Sequence, residues 1–240
     1  MALIEFKDYS REYDNLLKYS TPYIKLMDTL TILLEKYLPV TKGLNVLDVG
    51  AGTGNISKVM EDTIQVENIN KMVLVEPSDE MLSLARTKLN GNNIEYLPIT
   101  FEEFQSPNKF DLIVCIHALY LMPDPNSLIN RFSEFMHSDS ILIICDIGSE
   151  IKVNRWARHL LYTNSKRYGI LTAIKALLAN KEIKRANREI SKKQRAGEIW
   201  SHTLDEFSSL FSDKYTILEK MNTFLGCSNL LVCKNKATNG

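Results

Sequence analysis

Asp48, Gly50, Gly52 and Gly54, with Glu76 further on, are the residues whose types and spacing could hold a ligand and support chemistry. They lie in the stretch Leu44-Asn45-Val46-Leu47-Asp48-Val49-Gly50-Ala51-Gly52-Thr53-Gly54-Asn55. A β-branched apolar run stops there at three glycines on alternate positions. The backbone can then take positive φ, pass close to a ligand and turn N–H groups at a helix start toward it. The spacing argues against a pyrophosphate, because a dinucleotide loop counted from Gly50 needs its third glycine where Asn55 stands. A carboxylate at Asp48 repels phosphate and attracts an ammonium group. Glu76 closes the next apolar run, Met72 to Val75, where an acid accepts both hydroxyls of a ribose. A nucleoside joined to an amino acid, without phosphate, describes S-adenosylmethionine.

Positioning these residues requires a strand before the glycines, a helix after them and a second strand ending at Glu76. Residues 41–147 alternate such patterns throughout, which predicts a Rossmann-like, doubly wound α/β sheet with helices on both faces. The expected elements are strand 1 (Asn45 to Val49), a helix (Asn55 to Asp62), strand 2 (Lys71 to Glu76), a helix (Ser78 to Leu89) and strand 3 (Ile94 to Leu97). Strand 4 (Phe110 to Ile116), a helix (Asn126 to Met136) and strand 5 (Ile141 to Ile147) follow. Uniformly apolar strands such as Leu112-Ile113-Val114-Cys115-Ile116 fit a sheet buried on both faces. In open α/β sheets the ligand lies at the carboxyl ends of the strands, here marked by Asp48, Glu76, Thr100 and Cys115 to His117.

On these residues the chain resembles the class I S-adenosylmethionine-dependent methyltransferases, over about Leu44 to Ile147. Asp48-Val49-Gly50-Ala51-Gly52-Thr53-Gly54 matches their acidic-x-Gly-x-Gly-x-Gly motif, and Glu76-Pro77-Ser78-Asp79-Glu80-Met81-Leu82 looks like the second motif of their small-molecule branch. The resemblance implies a seven-stranded, mostly parallel sheet with an antiparallel last strand, and S-adenosylmethionine as cofactor with S-adenosylhomocysteine as product. Carried onto this sequence, it implies cofactor contacts from Asp48, Gly50, Ala51, Gly52, Gly54, Glu76, Pro77, Met81, Thr100, Phe101, Cys115 and His117. Tyr13, in an N-terminal cover, joins them. Where relatives often carry an Asp for the adenine amino group, this chain has Thr100, whose hydroxyl can accept that bond, with the Phe101 N–H meeting the ring nitrogen. The charge-assisted share is lost. Cys115 to Pro125, ending in Pro-Asp-Pro, resembles the branch's segment after strand 4 and places His117 near the cofactor's methyl group. It is not the Asn/Asp-Pro-Pro-Tyr or Phe motif of enzymes that methylate amines of bases or glutamine.

The chain has 240 residues, 45% hydrophobic and 24% charged, ordinary for a soluble globular protein, with Lys+Arg and Asp+Glu balanced at 29 each. Global charge therefore points to no partner. Cys115, Cys145, Cys227 and Cys233 read as core thiols rather than disulfides or zinc ligands, and no metal site is expected. The N-terminus shows no basic region followed by an apolar stretch of signal length, and no run approaches a membrane span. A cytoplasmic protein without a membrane partner, monomer or homodimer, is expected.

Around the core, residues 1–40 read as a helical cover holding Tyr9, Tyr13, Tyr19 and Tyr23, with a helix from Tyr23 to Leu38. Residues 148–200 read as a helical substrate lid, with runs Val153 to Thr163, Leu171 to Ile183 and Ala186 to Gln194. Residues 201–240 return to the sheet through a capping box at Thr203 and Glu206, then two strands paired around Gly226. From Ile151 to Gly197 thirteen Lys/Arg face two acids, Glu182 and Glu189, which suits either a solvated face or a surface for an anionic ligand. Trp156, Tyr162 and Tyr168 in it suit a planar or aliphatic substrate. Methyl transfer needs a general base only where the acceptor holds a proton of high pKa. His117, His202 and Asp146 are the candidates for such a catalytic role, with His159 behind them as a solvated lid residue. Three readings follow. One is transfer to O, N or C of a small-molecule acceptor, anionic or carrier-bound; another is an RNA enzyme using the basic lid; the last is a cofactor-binding protein without catalysis.

Overall fold

The computed structural model describes residues 19–38, 43–150, 152–179 and 181–236. The expectations for Tyr13 and the first part of the N-terminal cover lie outside them. Helix α1 (Thr21–Tyr37) precedes strand β1 (Leu44–Val49), α2 (Asn55–Ile64), β2 (Ile69–Val75), α3 (Asp79–Lys88), β3 (Ile94–Leu97) and β4 (Phe110–Ile116). Then come α4 (Pro125–Arg131), β5 (Met136–Ile147), three helices α5 (Val153–Tyr168), α6 (Ile170–Ala179) and α7 (Lys181–Ala196), α8 (Leu204–Ser212), β6 (Tyr215–Thr223) and β7 (Ser228–Asn235).

The strands form one sheet in the order β3-β2-β1-β4-β5-β7-β6. Strands β1 to β5 are parallel, and β7 runs antiparallel to both of its neighbours. The winding reverses between β1 and β4, so a crevice opens beyond their carboxyl ends. Alternation along each strand builds two cores. Val46, Leu112, Val114, Ile143 and Val232 face α1, α2 and α3, while Leu47, Ile113, Cys115, Leu142 and Leu231 face α4, α8 and a Phe101-Phe104-Phe132-Phe135 cluster. All four cysteines are buried and free.

Local chemistry sets the ends. Ser78 accepts the Met81 N–H to cap α3, and Thr203 with Glu206 closes the expected capping box on α8. The expected helix from Asn126 to Met136 stops at Arg131, and Phe132–Phe135 tightens into a 3₁₀ turn that drives Phe132 and Phe135 into the core. Strand β5 starts at Met136 rather than Ile141, because Met136 already pairs with Phe110. The polar His137-Ser138-Asp139 interruption is tied down by Ser140, whose hydroxyl accepts the His137 N–H and donates to the Phe110 carbonyl.

Candidate functional site: the carboxyl rim of the sheet

The glycine loop leaves β1 with all three glycines left-handed, at φ 72° for Gly50, 53° for Gly52 and 76° for Gly54. Its glycines are not equivalent. A Cβ on Gly50 would lie 2.2 Å from Ala118 Cβ, and one on Gly54 2.7 Å from Ala85 Cβ, so both are fixed by protein packing. A Cβ on Gly52 would meet only Met81 Sδ, at 3.8 Å. Gly52 is therefore the glycine whose open side faces no other protein atom so closely. Lys88 Nζ donates to Thr53 O (2.7 Å) and Asn55 Oδ1 (2.9 Å), anchoring the loop to α3.

The two acids flank this loop. Glu76 follows β2; its Oε2 accepts the Gly52 N–H at 3.1 Å and its Oε1 the Ser78 N–H at 3.0 Å. Burial raises its pKa, against those two N–H bonds. Asp48 is only 1% exposed and accepts from the Ser57 hydroxyl in the first turn of α2. Burial pushes its carboxyl up to about 7, with the Glu76 charge adding to the rise. A ligand bearing a positive group beside this pair would relieve both acids, and the opening over Gly52 leaves backbone accessible. These residues fit the amino-acid nucleoside that their spacing suggests.

Of the other expected cofactor contacts, Pro77 is exposed and Met81 is buried beneath Gly52, while Ala51 is buried in the core against α1 and α2. Phe101 and Cys115 send their side chains into the core, leaving only backbone groups for a ligand. Thr100 donates its hydroxyl to Glu103 Oε2 at 3.1 Å, and Glu103 also accepts the Thr100 N–H. The Thr100 oxygen keeps lone pairs for an amino group, and Glu103 brings a carboxylate to the place where that charge had been counted as lost.

A second constellation sits where β4, β5 and β7 end. His117 (φ 53°) continues from β4 and donates its N–H to the Cys145 carbonyl at 2.7 Å, and its Nε2 lies 2.9 Å from Ser228 Oγ. Burial lowers its pKa to about 4, so the ring is neutral at physiological pH. The Phe224 ring packs edge-on against His117 (4.6 Å between centroids) and Tyr23 (6.0 Å), and lies 5.3 Å from Trp156 of α5. Phe224 and Leu225 are themselves left-handed, at φ 49° and 57°. Trp156 Nε1 is buried without a hydrogen-bond partner among the described residues.

The catalytic candidates meet around the start of β7, where Asp146 pairs with Asn229 and Ile147 with Ser228. His202 presents its carbonyl to Asn229 Nδ2 at 2.7 Å and its ring to Trp200; its Nε2 is buried and has no partner among the described residues. Asp146, fully buried, accepts the Ile147 N–H (2.6 Å) and the Tyr120 N–H (3.1 Å), and burial pushes its pKa up to about 7. Its geometry is that of a cap holding the 3₁₀ turn Leu119–Leu121, rather than of a base open to an acceptor. His159 is half-buried on α5, with its Nε2 buried and without a partner among the described residues. Sequence reasoning missed Phe224 and Ser228, which no motif marks.

Comparison with known proteins agrees with this geometry. Residues 40–214 match a family described as "Methyltransferase domain". The chain is 26% identical over 140 residues to malonyl-[acyl-carrier protein] O-methyltransferase of Acetivibrio thermocellus, covering 58% of this chain and 48% of that protein. It is 30% identical over 118 residues to ubiquinone biosynthesis O-methyltransferase of Actinobacillus pleuropneumoniae, covering 46% and 48%. The chain thus spans about half the length of these relatives. Among solved structures, the N-methyltransferase NodS of Bradyrhizobium japonicum with S-adenosylhomocysteine superposes with a TM-score of 0.56 at 12% identity, over 87% of this chain and 86% of that one. With the glycine loop, the acid after β2 and the antiparallel β7 all in place, the chain belongs to the methyltransferase domain family, among the class I S-adenosylmethionine-dependent methyltransferases.

Proposed function

We propose that this chain transfers a methyl group from S-adenosylmethionine to a small-molecule acceptor, and that the acceptor atom is a carboxylate oxygen. The observation that carries the reading is the pairing of an open, left-handed Gly52 with Glu76 at the switch point of the sheet. Gly52, Glu76 and the Thr100-Phe101 backbone would hold the nucleoside, with Asp48 favouring the ammonium end. The cofactor supplies an electrophilic methyl on a sulfonium, so alignment of donor and acceptor provides most of the acceleration, about 7–11 kcal/mol.

The carboxylate assignment rests on the states of His117 and Asp146. His117 with a pKa near 4 is a poor proton acceptor, and Asp146 is committed to backbone N–H groups. A phenol, alcohol or ammonium would need a base, whereas a carboxylate arrives deprotonated. The unpartnered Trp156 Nε1–H suits an oxygen acceptor, and the excess of basic residues over 151–197 suits an anion. The similarity to an O-methyltransferase acting on a malonyl group points the same way. In this reading α5, α6 and α7 are the substrate-covering insertion and His117 is a neutral hydrogen-bonding wall.

Calorimetric and thermal-shift titration with S-adenosylhomocysteine tests the first half: a ligand at a hundredfold its Kd stabilises by about 2.7 kcal/mol. No shift overturns the cofactor assignment. A screen of carboxylic acids, phenols and amines, read by S-adenosylhomocysteine release, tests the second. Turnover of phenols or amines with no turnover of carboxylates sinks it.

A further inference from the structure

Helix α6 turns its small side inward and its large apolar side outward. Ala173 is fully buried, while Ile170, Leu171, Ile174 and Leu178 are 54, 74, 43 and 61% exposed. At about 100° per residue these four fall in one stripe roughly 100° wide, the width of a face meant to be covered. Tyr162 and Tyr168 of α5, which packs against α6, add two exposed rings. Basic groups ride on them: Lys166 Nζ is 4.4 Å from the Tyr162 centroid, and the Arg167 guanidinium 5.4 Å from that of Tyr168. Helices α5 and α6 themselves carry five exposed Lys/Arg, Arg155, Arg158, Lys166, Arg167 and Lys175, and no acid.

We propose that the α5–α6 face rests on the surface of an anionic lipid bilayer, with the α6 stripe in the headgroup–acyl boundary and the basic residues on the phosphates. Each alternative covers half of the pattern. RNA would neutralise the charge and leave four large aliphatic side chains in water. A second copy packed through the same face would bury the aliphatics and set one basic surface against another. An anionic bilayer takes up both, as interfacial helices do. No helix of the described residues is long and apolar enough to cross a membrane, so attachment is peripheral. Helix α5 joins this face to the rim: Trp156 touches Phe224, and Tyr168 lies about 18 Å along the helix at 1.5 Å per residue. A docked molecule would keep its acceptor site one helix length from the bilayer, in reach of an amphiphilic acceptor.

Vesicle flotation tests this without any assumption about catalysis. The full chain is expected to float with vesicles of phosphatidylcholine mixed with phosphatidylglycerol, to stay behind with phosphatidylcholine alone, and to be released by salt. The double variant Leu171→Glu, Leu178→Glu loses at least about tenfold in partition, and Lys166→Glu, Arg167→Glu loses about tenfold. Both should keep the wild-type melting temperature, since the positions are exposed. Flotation indifferent to lipid charge, or unchanged in the leucine pair, overturns the proposal. So does a dimer in analytical ultracentrifugation that the leucine pair splits. Binding of tRNA with a steep salt slope that the leucine pair leaves intact would reassign the basic surface to nucleic acid.

Discussion

The glycine loop after β1 and the turn between β6 and β7 both hold three residues in left-handed backbone at the carboxyl rim of the sheet, with different residues. In the first, Gly50, Gly52 and Gly54 take the conformation at no steric cost. In the second, Phe224 and Leu225 take it together with Gly226, and His117 beside them does the same. Left-handed non-glycine residues cost about 1–2 kcal/mol each, and persist where surrounding packing dictates them. The Phe224 ring shows what does so here, wedged among Tyr23, His117 and Trp156. A loop shaped for a ligand shared across a family can be written in glycine. The turn between β6 and β7 is written in ordinary residues and held by its neighbours.

The largest effect that separates the two halves of this comparison is expected at Gly50. Gly50→Ala places a Cβ 2.2 Å from Ala118 Cβ at φ 72°, so overpacking and backbone strain add. Together they should lower stability by about 3 kcal/mol, a drop of roughly 6–12 °C in melting temperature. Gly52→Ala has room in the protein and should cost only about 1 kcal/mol of stability. Its methyl group enters the open side instead, and affinity for S-adenosylhomocysteine by calorimetry should fall by about tenfold or more. If Gly52→Ala melts as early as Gly50→Ala, or binds normally, the distinction between packing and ligand-facing glycines fails.

A pH-dependent effect is expected at Asp48. Its folded pKa of about 7 lies above its ordinary value of 3.8, so the folded state retains a proton that the unfolded state releases. That contribution is complete below about pH 4 and is lost as pH rises toward 7. Asp48→Asn has no such loss. Its stability relative to the parent should climb by about 4 kcal/mol between roughly pH 4 and pH 8, measured by urea unfolding. A difference that stays flat with pH would show that Asp48 is ionised in the fold throughout.

The same contrast explains what the sequence made legible. The order of strands, the capping box at Thr203 and Glu206 and the ligand end of the sheet follow from alternation, turn chemistry and one glycine motif, all local. The start of β5 was hidden because His137-Ser138-Asp139 reads as a break, and only the Ser140 bridge to Phe110 keeps it in the sheet. Asp146 and His202 could be placed at the rim but not assigned a state, since that depends on partners such as Tyr120 and Asn229, distant in the chain. Phe224 carried no signal, because nothing in Thr223-Phe224-Leu225-Gly226 marks a left-handed aromatic.

The finest test of the comparison is Trp156→Phe. Its indole N–H is buried with no partner among the described residues, and an unmet donor costs about 1–3 kcal/mol, a deficit that a bound acceptor oxygen would remove. Phenylalanine keeps an aromatic ring beside Phe224 and deletes the donor, so stability should stay level or rise by up to about 1 kcal/mol. Affinity for S-adenosylhomocysteine should not change, because the proposed function puts Trp156 on the acceptor half of the rim. KM for a carboxylate acceptor should rise by about tenfold, the worth of one hydrogen bond to a charged group. Loss of cofactor affinity would merge the two halves into one site, and an unchanged KM would leave the indole as a packing residue and remove the donor from the acceptor pocket.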